Sequence, residues 1–132
     1  MIALDTNLLV RLLTNDAPRE AAKVEAWLHQ HTSARSPAYV DHIVVCELVW
    51  VLERSYGYAR VQIGQALEAL LGHDHLRLES PNLLRQALGL YSQGPADFSD
   101  YLLALRAQAA GFAPVLTLDK RAAKTSTHQL LR

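Results

Sequence analysis

The chain has 132 residues, with thirteen Lys plus Arg set against thirteen Asp plus Glu. That length suits one domain with a real core, and the zero net charge gives no general attraction for a polyanion. Half the residues are apolar and a fifth are charged, which is ordinary globular composition. No apolar run approaches the roughly 18 residues of a membrane span.

The first residues, Met1 to Leu4, read as a short buried strand, without the basic segment and apolar core of a secretory signal. Leu8, Leu9, Leu12 and Leu13 then recur at helical spacing until Asn15 and Asp16 break the pattern. Pro18 can start a second helix that fades near His31. The segment Ser33 to Val40, interrupted by Pro37, reads as a strand or strand-like connection. Asp41 is placed to cap a long helix ending at Tyr56 before Gly57, and Arg60 to Gly72 forms another. The single cysteine, Cys46, lies in the apolar run of the first of these and is expected to pack as a small buried hydrophobe. With no disulfide possible within the chain and no export signal, the expected compartment is the reducing cytoplasm.

His75 to Glu79 alternates like a strand, Pro81 to Tyr91 is helical, and Gln93 to Ala96 is a Gly-Pro loop. A helix from Phe98 to Ala110 follows. Val115 to Leu118 is a short apolar strand, Lys120 to Lys124 a helical turn, and His128 to Leu131 a final edge strand. Short apolar strands separated by helices imply parallel pairing through crossovers. The expected fold is therefore α/β, a three-layer α/β/α sandwich with a short, mostly parallel central sheet, built as one domain over residues 1–132. Sites in such sheets gather at the carboxyl ends of the strands.

Four acids stand out against this framework. Asp5 follows Ile2-Ala3-Leu4 and Asp119 follows Val115-Leu116-Thr117-Leu118, so each lies where a strand leaves the sheet. Taken singly, each reads as readily as the cap of the next helix. Glu47 has Ile43, Val44, Trp50 and Val51 as its helical neighbours, which places it on the core-facing stripe. A buried carboxylate needs a compensating charge, either a cation or an arginine such as Arg54 or Arg11. Asp97 and Asp100 have capping-box spacing at a helix start. Asp100 also shares a face with Leu103, Ala104 and Ala107, so it is the stronger ligand candidate, with Asp97 as an auxiliary.

Four inward acids on separate segments would repel one another without a cation. Oxygen donors with no cysteine or histidine pair beside them favour Mg²⁺ or Mn²⁺ over zinc. Two such ions about 3.5–4 Å apart activate water and stabilise a leaving oxygen in phosphodiester cleavage.

Four segments carry a family resemblance: Leu4-Asp5-Thr6-Asn7-Leu8-Leu9-Val10-Arg11, Val45-Cys46-Glu47-Leu48-Val49-Trp50-Val51-Leu52, Ala96-Asp97-Phe98-Ser99-Asp100-Tyr101-Leu102-Leu103-Ala104 and Thr117-Leu118-Asp119-Lys120. In this order the chain resembles the PIN-domain ribonucleases, and especially the VapC-type toxins of bacterial toxin-antitoxin pairs, from Met1 to about Leu131. The resemblance implies that Asp5, Glu47, Asp100 and Asp119 are catalytic metal ligands. It also implies cleavage of single-stranded or looped RNA by metal-activated water, a small antitoxin that occludes the site, and a homodimer. Thr6, Asn7 and Thr117 match polar positions beside the acids, where they would orient carboxylates or waters; turn or cap chemistry explains them equally.

Arg11, Lys120 and Arg121 flank the acids and are candidates for phosphate contacts. Tyr101 departs from the small residue many relatives carry there, and its ring is expected to narrow the site mouth. The tail Thr125-Ser126-Thr127-His128 lacks the usual glycine-containing turn. His73 and His75 read as surface residues, Trp27 and Trp50 as core residues, and Tyr39, Tyr56 and Tyr58 as surface for a partner helix. Two alternatives belong to the same fold, a non-toxin PIN nuclease of RNA processing and an inactive module that binds RNA or protein. Aspartyl-phosphate chemistry would want a second Asp two residues after the first, where this chain has Asn7.

Overall fold

Six α-helices and four three-residue strands follow one another in the computed structural model, which describes residues 1–132. They group into two compact units, Met1–Glu79 and Ser80–Arg132. All strand pairing is parallel, as expected for an α/β fold whose strands are joined through helices.

The first unit holds α1 (Thr6–Leu13), α2 (Pro18–His31), β1 (Ala38–Val40), α3 (His42–Tyr56), α4 (Arg60–Leu71) and β2 (Leu76–Leu78). β1 pairs with β2 from Ala38 opposite Leu76 to Val40 opposite Leu78. On the other side of β1 the first residues of the chain lie parallel to it through a bridge between Ala3 and Tyr39. There the Leu4 amide donates to the Tyr39 carbonyl at 2.8 Å, and the Tyr39 amide to that of Ile2 at 2.9 Å. Sequence alternation places Ala38 and Val40 inside and Tyr39 outside. Leu9, Leu28, Val45, Leu48, Leu52, Ile63 and Leu67 fill the core of this unit, each large aliphatic side chain contributing about 1.5–3 kcal/mol on burial.

Helix ends follow local chemistry. Pro18 opens α2 at its first position. The Asp41 carboxylate accepts from the Val44 amide at 2.9 Å and caps α3. Gly57 ends that helix at φ 68°, in the left-handed region where a Cβ is penalised. α1 and α3 are fastened by their polar ends. The Tyr56 hydroxyl donates to Asp16 at 2.6 Å, and Tyr58 donates to the Leu13 carbonyl at 3.4 Å. Two of the three tyrosines expected to offer a partner surface are thus engaged within the unit.

The second unit contains α5 (Pro81–Gln93), α6 (Phe98–Ala109), β3 (Val115–Thr117), a 3-10 turn (Ala122–Lys124) and β4 (His128–Leu130). α5 and α6 pack through Leu84, Leu88, Tyr91, Phe98 and Leu102, with the Tyr91 and Phe98 rings edge to face at 5.8 Å. β3 and β4 pair from Val115 opposite His128 to Thr117 opposite Leu130. The connection needs no glycine because hydroxyls tie it. Thr125 Oγ1 donates to the Ala122 carbonyl at 2.7 Å and contacts Thr127 Oγ1 at 2.7 Å, and Thr127 Oγ1 lies 2.8 Å from His128 Nδ1.

Several expectations about individual side chains are corrected. Tyr101 is 2% exposed, and its hydroxyl receives the Ala96 amide at 3.3 Å, so it is a core residue rather than a site rim. Cys46 is half-buried. His75 does not simply face solvent, since its Nδ1 lies 2.8 Å from Thr32 Oγ1 and 3.1 Å from the Leu28 carbonyl. Trp27 is partly exposed and stacks on His31 with ring centroids 4.6 Å apart. Trp50 is 56% exposed and is no core residue. α3 is apolar on nearly every side, so periodicity alone could not choose its buried face; Val45, Leu48, Val49 and Leu52 take that role.

Candidate functional site

In the first unit Asp5 and Glu47 come together through one residue. Asp5 ends the segment paired with β1 and caps α1, its Oδ1 accepting from the Thr6 amide at 2.7 Å. Thr6 is buried, and its hydroxyl donates to Glu47 Oε2 at 3.1 Å. Thr6 therefore holds both carboxylates, one by its main chain and one by its side chain. The other oxygen of each, Asp5 Oδ2 and Glu47 Oε1, has no hydrogen-bond partner.

Glu47 is exposed on α3, together with Ile43, which is 67% exposed, and Trp50. This corrects the expected core-facing stripe. Its charge needs no arginine, and neither candidate provides one. Arg11 pairs instead with Glu20 at 3.1 Å and with Asp16 at 3.7 Å, and the hydrogen bond and charge of Glu20 raise its pKa. The Arg54 guanidinium lies 5.6 Å from the Trp50 ring centroid. Arg54 follows Trp50 by four residues, the spacing that sets two side chains together on a helix face.

The second unit links Asp100 and Asp119 through Asp97 and Arg121. Asp100, half-buried at the start of α6, accepts the Asp97 amide at 3.0 Å through Oδ2, as in one half of a capping box. Its expected companion Leu103 is exposed, so Asp100 sits at the margin of the core. Asp97 Oδ1 receives Arg121 Nη2 at 3.0 Å. Asp119 Oδ1 accepts the amides of Arg121 at 2.8 Å and Ala122 at 3.2 Å. These two amides, Ala122 first, hold the Asp119 carboxyl below the ordinary range, with further help from the charges of Arg121 and His128. Thr117 Oγ1 accepts the Asp119 amide at 3.0 Å and fixes its backbone. Here too Asp100 Oδ1 and Asp119 Oδ2 have no hydrogen-bond partner.

Each of the four acids is thus held by the protein through one carboxylate oxygen while the other is left to accept. Oriented oxygen donors of this kind suit a hard divalent cation, for which Mg²⁺ and Mn²⁺ are the chemical match. Within either unit, no three His, Cys, Asp or Glu side chains gather to hold an ion; Asp5 and Glu47 lie in the first unit, Asp100 and Asp119 in the second. The two cap readings also hold for Asp5 and Asp119, each through a single carboxylate oxygen. Asn7 and Lys120 are exposed. No helix is long and apolar enough to cross a membrane.

The PIN domain model matches residues 2–127 of this chain. The chain is also 27% identical, over 121 residues, to a VapC ribonuclease of Aquifex aeolicus (strain VF5), an alignment covering 92% of this chain and 89% of that protein. β1, β2 and β3, Asp5 and the threonine-held pair of carboxylates fall inside the matched span, and the chain belongs to the PIN domain family.

Proposed function

We propose that this protein is a Mg²⁺- or Mn²⁺-dependent endoribonuclease, the toxin of a toxin-antitoxin pair, and that both units form one PIN-like domain. The observation that carries the reading is the Asp5–Thr6–Glu47 arrangement, two carboxylates oriented by one buried residue, each with one oxygen free of hydrogen bonds within the protein. Asp100 and Asp119 complete the set, with Asp97 as an auxiliary. Bound by them, divalent ions would supply an activated water and neutralise charge at the leaving oxygen of an RNA phosphodiester.

The chain's own residues do the positioning. Thr6 fixes the first pair of acids and Thr117 fixes the backbone at Asp119, and Asn7, exposed next to Thr6 in sequence, would orient carboxylate or water. Arg11, Lys120 and Arg121 would meet RNA phosphates, since acids alone would repel the backbone. Similarity to a protein named VapC ribonuclease supports the toxin reading, and with it a small antitoxin that covers the site, a homodimer and action in the cytoplasm.

The test is cleavage of a mixed single-stranded RNA by purified protein with Mg²⁺ or Mn²⁺, and by its Asp100→Asn variant. Metal-dependent cleavage by the parent, lost in the variant with folding intact, is the expected result. No cleavage with either metal, or an equally active variant, would refute the enzyme. A short antitoxin-like reading frame next to the gene would favour the toxin over a nuclease of RNA processing.

A further inference from the structure

Ile43, Glu47, Trp50 and Arg54 lie at spacings of four, three and four along α3, and all are exposed. They form one narrow stripe of a single helix face. Trp50 follows Glu47 by three residues, a rise of about 4.5 Å along the axis. It is the larger of the two apolar side chains on the stripe, and the Arg54 guanidinium lies over one face of its ring, 5.6 Å from the centroid. Trp50 is 56% exposed.

The geometry points to Trp50 as a stacking platform for an unpaired base of the RNA substrate, with Arg54 beside it as the cationic partner of the same nucleotide. This rests on the ribonuclease reading, which places a phosphodiester at Glu47. A strand held there presents its neighbouring bases within one helical turn. Single-stranded RNA is bound largely by stacking on aromatic rings and by arginine. The two apolar side chains are interleaved with one acid and one base, so the stripe offers no continuous apolar patch. The stripe supplies the charge pattern of a nucleotide: a π-face for the base, a cation for its phosphate and a carboxylate for the metal-bound linkage.

The role is one of substrate positioning, and it is tested by binding as well as turnover. On a Trp27→Phe background Trp50 is the remaining indole, so its fluorescence reports on its own surroundings. The probe is a short mixed-sequence single-stranded oligoribonucleotide, with an abasic strand of equal length as comparison, added with Mg²⁺ to the Asp100→Asn protein. Stacking requires that the RNA quench Trp50 emission and the abasic strand not do so. Trp50→Ala would weaken RNA binding and raise KM roughly tenfold, with Trp50→Phe retaining most of both.

If the parent cleaves RNA but Trp50 emission is unmoved and Trp50→Ala binds as the parent does, the platform is wrong and the nuclease stands. If emission is quenched although no RNA is cleaved, the platform stands and the nuclease falls. If Trp50→Ala changes only the oligomeric state in sedimentation, with RNA affinity intact, the stripe is a protein contact and the proposal is overturned.

Discussion

Thr6 and Glu47 meet at 3.1 Å across 41 residues of sequence, and the same threonine gives its amide to Asp5 at 2.7 Å. Burial of Thr6 fixes its rotamer, so the hydroxyl can hold Glu47 in one orientation. Thr6→Val keeps the shape and removes the donor. It is expected to lower metal affinity and metal-dependent cleavage about tenfold, with stability changed by about 1 kcal/mol or less. Thr6→Ser would restore most of the activity. Metal titration followed by calorimetry, beside RNA cleavage and urea unfolding of all three proteins, checks this.

Asp5 carries a cap and a proposed ligand on two different oxygens, and the two roles separate by substitution. Asp5→Asn keeps an acceptor for the Thr6 amide, because Asn caps as well as Asp, and is expected to fold with near-parent stability. Asp5→Ala loses the cap and about 1 kcal/mol. Both should lose metal-dependent cleavage. Thermal unfolding beside an RNA cleavage assay distinguishes them, and full activity in Asp5→Asn would reduce Asp5 to a cap.

Much of the architecture was legible because its signals are local. Pro18 and Pro81 start helices, Asp41 caps one and Gly57 ends one, and each acts through its own backbone chemistry. Membership of the PIN domain family was legible from the order of the four acid-bearing segments. The faces of α3 were not, since Ile43, Val45, Leu48, Val49, Trp50 and Leu52 leave no polar side to fix its rotation. The apolar neighbours of Glu47 therefore point it inward on spacing alone, while its stripe is the exposed one. Tyr101 and the ion pair of Arg121 with Asp97 depend on contacts between separate segments, about which spacing is silent. The final turn was obscure for the same reason, because hydroxyls of Thr125 and Thr127 replace the glycine that a motif would show.

Gly57 tests the reading of α3 as a rigid carrier of Glu47. Its φ of 68° is strained for any residue with a Cβ, although nothing crowds that position. Gly57→Ala is expected to cost about 1 kcal/mol by chemical denaturation, with cleavage retained under conditions where the protein stays folded. Lost activity in a folded variant would mean that the end of α3 does more than terminate it.

The Asp119 and Asp16 carboxyls are both held below their ordinary value of 3.8, Asp119 by the Ala122 and Arg121 amides and Asp16 chiefly by the Tyr56 and Thr14 hydroxyls. Because the native carboxyls bind protons less readily than the unfolded ones, the unfolded state takes up more protons in the window just below 3.8. Their contribution is complete above that value and is lost as pH falls through the lower native one. Stability should therefore drop with pH in this range. The slope should lessen in Tyr56→Phe, which removes the first support of Asp16. Acid titrations of unfolding midpoint for parent and variant measure the difference, and identical slopes would contradict the assigned cause.

Arg121 uses its main chain and its side chain for different ends. Its amide supports Asp119, which any residue there can do, while its guanidinium pairs with Asp97 at 3.0 Å with both side chains about half exposed. An exposed pair of this kind contributes less than about 1 kcal/mol, so Arg121→Gln should scarcely alter unfolding. If the guanidinium leaves Asp97 for an RNA phosphate, the same substitution weakens RNA binding uniformly across sequences and reduces the salt dependence by about one phosphate contact. Asp97→Asn would act in the opposite direction, since it releases the arginine and removes a negative charge beside the strand. Binding isotherms at several salt concentrations, on an Asp100→Asn background that does not turn over the RNA, read both effects. Parallel salt slopes for parent and Arg121→Gln would leave Arg121 as the partner of Asp97 alone and move the phosphate contact to Arg11 or Lys120.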